Sequence, residues 1–200
     1  MKTAMIDYLE GYGIPKGLLS ANETNVVILE KAEKVWKEKK FSEGKRKAIL
    51  ARIDELMDEG EMKAIPTVET IVGAREAVLK LKEMGYSLAI LTRSCRGYTF
   101  EALRKTGMLE HFDVILGRGE TPKPKPYAEA LKCTAEKLGL NIDEIILVGD
   151  HHIDQTCAEN ACATFIGVRT GPRKDDSWSP NRPEVLLDSV ADLPKYLEKL

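Results

Sequence analysis

The stretch Ile145-Ile146-Leu147-Val148-Gly149-Asp150-His151-His152-Ile153-Asp154 decides the reading of this 200-residue chain. Four consecutive apolar residues, then a glycine and an amphipathic segment, fit a parallel strand covered on both faces and running into a helix. Asp150 then stands at the C-terminal end of the strand and Asp154 about one turn into the next element. Their like charges repel unless a cation is shared. Magnesium suits such a pair, because it takes one or two carboxylates and completes its shell with water and phosphate oxygens. The plainer alternative makes Asp150 a helix N-cap and Asp154 a solvated first-turn acid.

Outward from this stretch, strands alternate with helices. After Pro66 the pattern predicts strands at 87–91, 113–116, 145–148, 163–168 and 185–187. Helices are expected at 74–84, 98–105, 126–138, 155–160 and 191–200, with Gly85 and Gly139 as C-terminal stops and a polar loop at 169–183. That alternation implies βαβ units and a parallel sheet, hence an α/β fold with helices on both faces. Before Pro66 the periodicity is helical throughout, at 1–10, 25–39 and 42–59, with Val26, Leu29, Ala32, Val35 and Trp36 at helical spacing. The expected organisation is therefore an all-helical segment, 1–63, followed by an α/β core, 64–200.

Thirty basic against 32 acidic residues, a net charge of -2, argue against nucleic acid or an anionic membrane as the main partner and leave small molecules as the default. No apolar run approaches the length needed to span a bilayer, and no signal-peptide core opens the chain, so a cytosolic location is expected. Cys95, Cys133, Cys157 and Cys162 lack metal-site spacing and read as reduced, mostly packed thiols. Trp36 and Phe41 are expected in the packing face of the helical segment.

In open α/β sheets ligands bind beyond the carboxyl ends of the strands, and three of these ends are polar. Leu91-Thr92-Arg93-Ser94 offers a hydroxyl to a phosphoryl oxygen, or a hydroxyl tied up in a turn. Thr121-Pro122-Lys123-Pro124-Lys125-Pro126 holds lysines on a stiff loop, which suits an ammonium that stabilises transferring phosphoryl charge, although Lys123 reads as surface. Asp150 and Asp154 complete the set. A hydroxyl, a fixed cation and a two-carboxylate metal site are what phosphoryl transfer needs.

In this order, Leu88-Ala89-Ile90-Leu91-Thr92, then Lys125-Pro126, then Gly149-Asp150 with Asp154, the residues resemble motifs II, III and IV of the haloacid dehalogenase superfamily, over about 66–200. The resemblance implies a Rossmann-like core, with Thr92 as phosphate binder, Lys125 as the charge-stabilising lysine, and Asp150 and Asp154 as Mg2+ ligands. Arg93 would lie among the substrate contacts, where many relatives carry a small amide residue. The segment 1–63 falls where the superfamily places a C1 cap, and relatives of this layout resemble phosphoglycolate phosphatase and act on small phosphomonoesters. His151 and His152 would touch substrate or simply begin a helix.

The family reaction also starts from an aspartate in an Asp-x-Asp motif after a first, central strand, and no such motif occurs in these 200 residues. Asp7-Tyr8-Leu9-Glu10 has the wrong spacing and lies in a helical pattern. In the superfamily that strand lies between those ending here at Thr92 and Gly149. Three explanations stand open: a natural start upstream of Met1, which is favoured, a degenerate relative that binds without turnover, or a segment from a partner chain, so that a homo-oligomer stays open. The expected function is a magnesium-dependent phosphomonoester hydrolase in a form without its nucleophile. The alternative is a catalytically inactive binding or regulatory protein.

Overall fold

A computed structural model describes residues 2–171, 174–178 and 182–199. The chain divides into two compact units, Met1–Ala64 and Ile65–Leu200.

The first unit is built from helices α1 (Lys2–Gly11), α2 (Asn25–Glu38) and α3 (Glu43–Met62). Ile28, Ala32 and Trp36 on α2, and Ile49, Ile53 and Met57 on α3, recur every fourth residue, so each helix presents one apolar stripe, and with Met5 and Leu9 they form a common core. Thr24 and Ser42 cap α2 and α3 by accepting hydrogen bonds from the Val27 and Lys45 amides. Trp36 is fully buried, donates its indole N–H to the Tyr12 carbonyl at 3.1 Å, and stacks on Phe41. Both aromatics thus belong to the packing face, as expected.

The second unit is α/β. Its strands are β1 (Ala89–Leu91), β2 (Val114–Leu116), β3 (Ile146–Gly149), β4 (Thr164–Val168) and β5 (Leu186–Leu187), and every pairing among them is parallel. Helices α4 (Ala74–Glu83), α5 (Arg96–Lys105), α6 (Ala128–Leu138), α7 (His152–Ala161) and α8 (Leu193–Leu197) join them. Side chains alternate across the strands. Leu91 and Leu147 pack with Ala130, Leu131, Cys157 and Ala158 of α6 and α7, whereas Leu88, Ile146 and Val148 pack with Leu81, Leu193 and Leu197 of α4 and α8. Helices therefore cover both faces, as the strand–helix alternation predicts, in the Rossmann-like arrangement that the family resemblance implies.

The described strands form two hydrogen-bonded sets, β1-β2 and β3-β4-β5. No ladder joins β1 to β3, although their side chains share the same two apolar clusters.

Local boundaries depart from the sequence reading for identifiable reasons. Helix α7 begins at His152 rather than 155, because the His151 ring accepts the Ile153 amide and caps it three residues early. Helix α6 begins at Ala128, two residues beyond Pro126, after a turn closed by the Tyr127 amide on the Pro124 carbonyl. A single turn at Val190–Asp192, capped by Ser189, precedes a final helix of only five residues. The loop expected at 169–183 contains a 3-10 turn, Lys174–Trp178, whose Trp178 is buried against Phe165. Residues 172–173 and 179–181 of that loop lie outside the described residues.

Candidate active site

Strand β3 ends on Gly149 because nothing larger fits there. A Cβ built on Gly149 would lie 2.4 Å from the Asp154 Cβ and 2.7 Å from its Oδ2. Helix α7 can therefore fold back against the strand end and hold Asp154 in its first turn, 7% exposed, with its amide bonded to the His151 carbonyl at 2.9 Å. A negative side chain in that position also faces the positive end of the helix dipole.

The partner of this carboxylate is Lys125, whose Nζ donates to Asp154 Oδ1 at 2.6 Å across 29 residues of sequence. Both side chains are largely withdrawn from solvent, 13% and 9% exposed. Lys125 reaches this place because α7 also fastens the loop that carries it. Asn160 Nδ2 donates to the Pro126 carbonyl at 3.0 Å and Cys157 Sγ to the Tyr127 carbonyl at 3.4 Å. Burial pushes the Cys157 thiol up, Lys125 and a backbone hydrogen bond oppose this, and Asp154 adds to it, so Cys157 is a packed thiol and not a nucleophile at neutral pH.

Thr92 closes β1, its amide bonded to the Leu116 carbonyl at 2.9 Å. Its Oγ1 accepts the Ser94 amide at 3.1 Å, so the hydroxyl shapes a turn while keeping its own proton to donate. Arg93 follows. Burial pulls its guanidinium below the usual arginine range, Asp154 opposes that shift, and Arg118 reinforces it. Arg118 donates its Nη1 to the Arg93 carbonyl at 3.1 Å and its amide to the Ser94 carbonyl at 2.8 Å. This approach needs Gly117, where a Cβ would come within 2.9 Å of the Ser94 carbonyl oxygen.

Asp150 lies at the end of β3 with its carboxylate against Gly171, where a Cβ would fall 2.3 Å from Oδ2. The structure thus joins Lys125 to Asp154 directly, sets Arg93 within reach of the Asp154 charge, and leaves Asp150 on the Gly171 side. His152 is exposed and His151 serves as the cap of α7. Asp150 and Asp154 offer hard oxygen donors that suit magnesium, an ion that retains several waters. The residues that sequence reasoning missed are Gly171, Asn160 and Arg118. Only the glycine of a polar loop hinted at a close approach, and the other two act through contacts 25 to 34 residues distant in sequence.

Residues 15–168 match the family model of the haloacid dehalogenase-like hydrolases. The chain belongs to this family. Among curated relatives of this haloacid dehalogenase-like chain, the pyrophosphatase PpaX of Bacillus velezensis is 30% identical over 118 residues, 59% of this chain and 55% of that one. The phosphoglycolate phosphatase of Vibrio vulnificus YJ016 is 31% identical over 120 residues, 60% of this chain and 52% of the other. The chain thus spans little more than half the length of these two relatives. Among solved structures, a hydrolase from Pseudomonas syringae superposes with a TM-score of 0.65 at 17% identity, covering 99% of this chain and 90% of the other. A HAD-superfamily hydrolase of subfamily IA from Geobacter sulfurreducens gives 0.59 at 20% identity, covering 97% and 87%. At these identities the superpositions show a shared fold.

Proposed function

We propose that this chain is the binding and charge-stabilising part of a magnesium-dependent phosphomonoester hydrolase acting on a small phosphorylated metabolite. The observation that carries the reading is the Lys125–Asp154 ion pair, an ammonium held at 2.6 Å from a carboxylate in the first turn after β3. In such a site Lys125 neutralises oxygens of the transferring phosphoryl group, Thr92 donates its hydroxyl proton to one of them, and Arg93 supplies a further cation to the substrate. Asp154 holds the ammonium in place. Asp150 and Asp154 would hold the magnesium ion, which supplies additional charge neutralisation when bound. In this reading the helical unit acts as a C1-type cap and the α/β unit as the catalytic core. The four free thiols, two of them buried, accord with a cytosolic setting.

Curated relatives named for phosphoglycolate and for pyrophosphate hydrolysis support a small phosphorylated substrate. The 200 residues contain no Asp-x-Asp, the motif from which the family's aspartate nucleophile comes. That absence also favours a second reading, a haloacid dehalogenase-like protein that binds its phosphorylated ligand without hydrolysing it. Hydrolysis of a generic phosphomonoester with magnesium separates the two. A form bearing an N-terminal strand and Asp-x-Asp is expected to turn over in a Lys125-dependent way, and the 200-residue chain is not. Turnover by the 200-residue chain itself would overturn the account of the nucleophile, and no turnover by either form would favour the binding protein.

A further inference from the structure

On the second unit, α4 and α8 leave a surface groove of about 360 Å3 between them. Ala77 on one side and Ala191 and Pro194 on the other give it small apolar side chains. The two sides meet closely at Gly73, where a Cβ would lie 2.8 Å from the Ala191 Cβ. Charges of both signs line the groove: Glu76 and Lys80 belong to α4, Lys195 to α8, and Glu198 follows it. Lys80 and Glu198 pair within the chain at 3.6 Å, whereas Glu76 and Lys195 have no ion-pair partner among the described residues. Next to Gly73 in the chain stands Val72, which at 92% is the most exposed of the described large apolar residues, and Ile71 beside it is 45% exposed. An apolar projection thus borders a recess of small apolar residues.

We propose that this face docks a second copy of the chain, about a two-fold axis that seats Val72 of each copy in the groove of the other and sets Glu76 of each opposite Lys195 of the other. Two features select that occupant. The groove carries two acids and two bases, so a nucleic acid, an anionic membrane or a uniformly acidic peptide would meet as much repulsion there as attraction. A two-fold contact needs a surface complementary to itself, and this one combines a projection with a recess and an unpaired acid with an unpaired base. Valine and isoleucine side chains at the centre and charged pairs at the rim follow the usual anatomy of a protein interface. The patch is small, so the expected dissociation constant lies between about 10 μM and 1 mM.

This goes beyond the phosphatase reading and does not rest on it, because the readout is assembly and not turnover. The test is sedimentation equilibrium of the 200-residue chain over a concentration series, with melting temperatures to establish that each variant folds. The parent is expected to pass from monomer to dimer as concentration rises. Val72→Asp, at a surface position, should weaken association at least about tenfold, and Lys195→Glu, which sets two acids opposite each other, should do likewise. Adding Glu76→Lys to Lys195→Glu exchanges the two charges and should restore association to within about threefold of the parent. A parent that stays monomeric to about 1 mM would overturn the proposal. A dimer indifferent to Val72→Asp or to Lys195→Glu would do so too, by placing the interface elsewhere, as would a charge-exchanged double variant no better than Lys195→Glu alone.

Discussion

Gly149 and Asp154 share one small volume only because one of them has no side chain. The Gly-Asp dipeptide that ends β3 is a packing requirement as much as a chemical one. Gly149→Ala would set a methyl 2.4 Å from the Asp154 Cβ, which belongs to a helix and cannot swing away as a flexible side-chain tip can. The expected cost is about 1–3 kcal/mol in chemical or thermal unfolding, and the displaced α7 would draw Asp154 away from the Lys125 ammonium. An alanine variant as stable as the parent would show that the close approach is dispensable. The Lys125–Asp154 pair raises a related point. Two partly desolvated charges contribute little net stability together, yet removing one strands the other, so their value lies in fixing an ammonium. At this scale the sequence shows which residue types are present and not which meet. The spacing of Asp150 and Asp154 suggests a pair, whereas the structure gives Asp154 to Lys125 and Asp150 to Gly171. Pairings of that kind arise from packing between distant segments and leave no local signature.

Among elements, α7 does the most positioning. It carries Asp154 in its first turn, fastens the Lys125 loop through Cys157 and Asn160, and packs on β3 and α6. Its existence was legible from the run after Val148, but its start was not, because an imidazole in the capping position lies outside the usual Ser, Thr, Asp and Asn signal. The joint between α4, β1 and β2 is a second such device. Asp113 accepts from Lys82 at 2.8 Å and from the Leu88 amide at 2.8 Å, which ties the end of the helix to the entrances of two strands. The Lys82 hydrogen bond, then that of Leu88, hold its carboxyl below the usual aspartate range. A depressed acid contributes stability above its unfolded pKa of about 3.9 and loses it as the pH falls further, through the folded value. The carboxylate is half exposed, so the contribution is below about 1 kcal/mol. Asp113→Asn should therefore be slightly less stable than the parent at pH 6 and converge with it on acidification below about pH 4, followed by denaturant titration. A gap that widens as the pH falls would contradict this origin.

Across the whole molecule, the α/β class with parallel strands and helices on both faces was readable from the alternation of short apolar runs with amphipathic segments. The interruption between β1 and β3 was not readable from periodicity, since the strands look alike whether or not a neighbour lies between them. The described strands form two hydrogen-bonded sets, β1-β2 and β3-β4-β5. Helices on both faces hold the two sets in one layer, through α6 against β1 and β2 and through α7 against β3 and β4. The strand ends nevertheless keep their polar groups together, and the central claim is that they form a phosphoryl site. Calorimetric titration of orthophosphate with magnesium into the 200-residue chain tests it most directly. The account predicts saturable binding that weakens at least about tenfold in Lys125→Met, with the variant's melting temperature measured alongside to establish that it folds. Binding of equal strength in a folded Lys125→Met variant, or no binding in the parent chain, would contradict it.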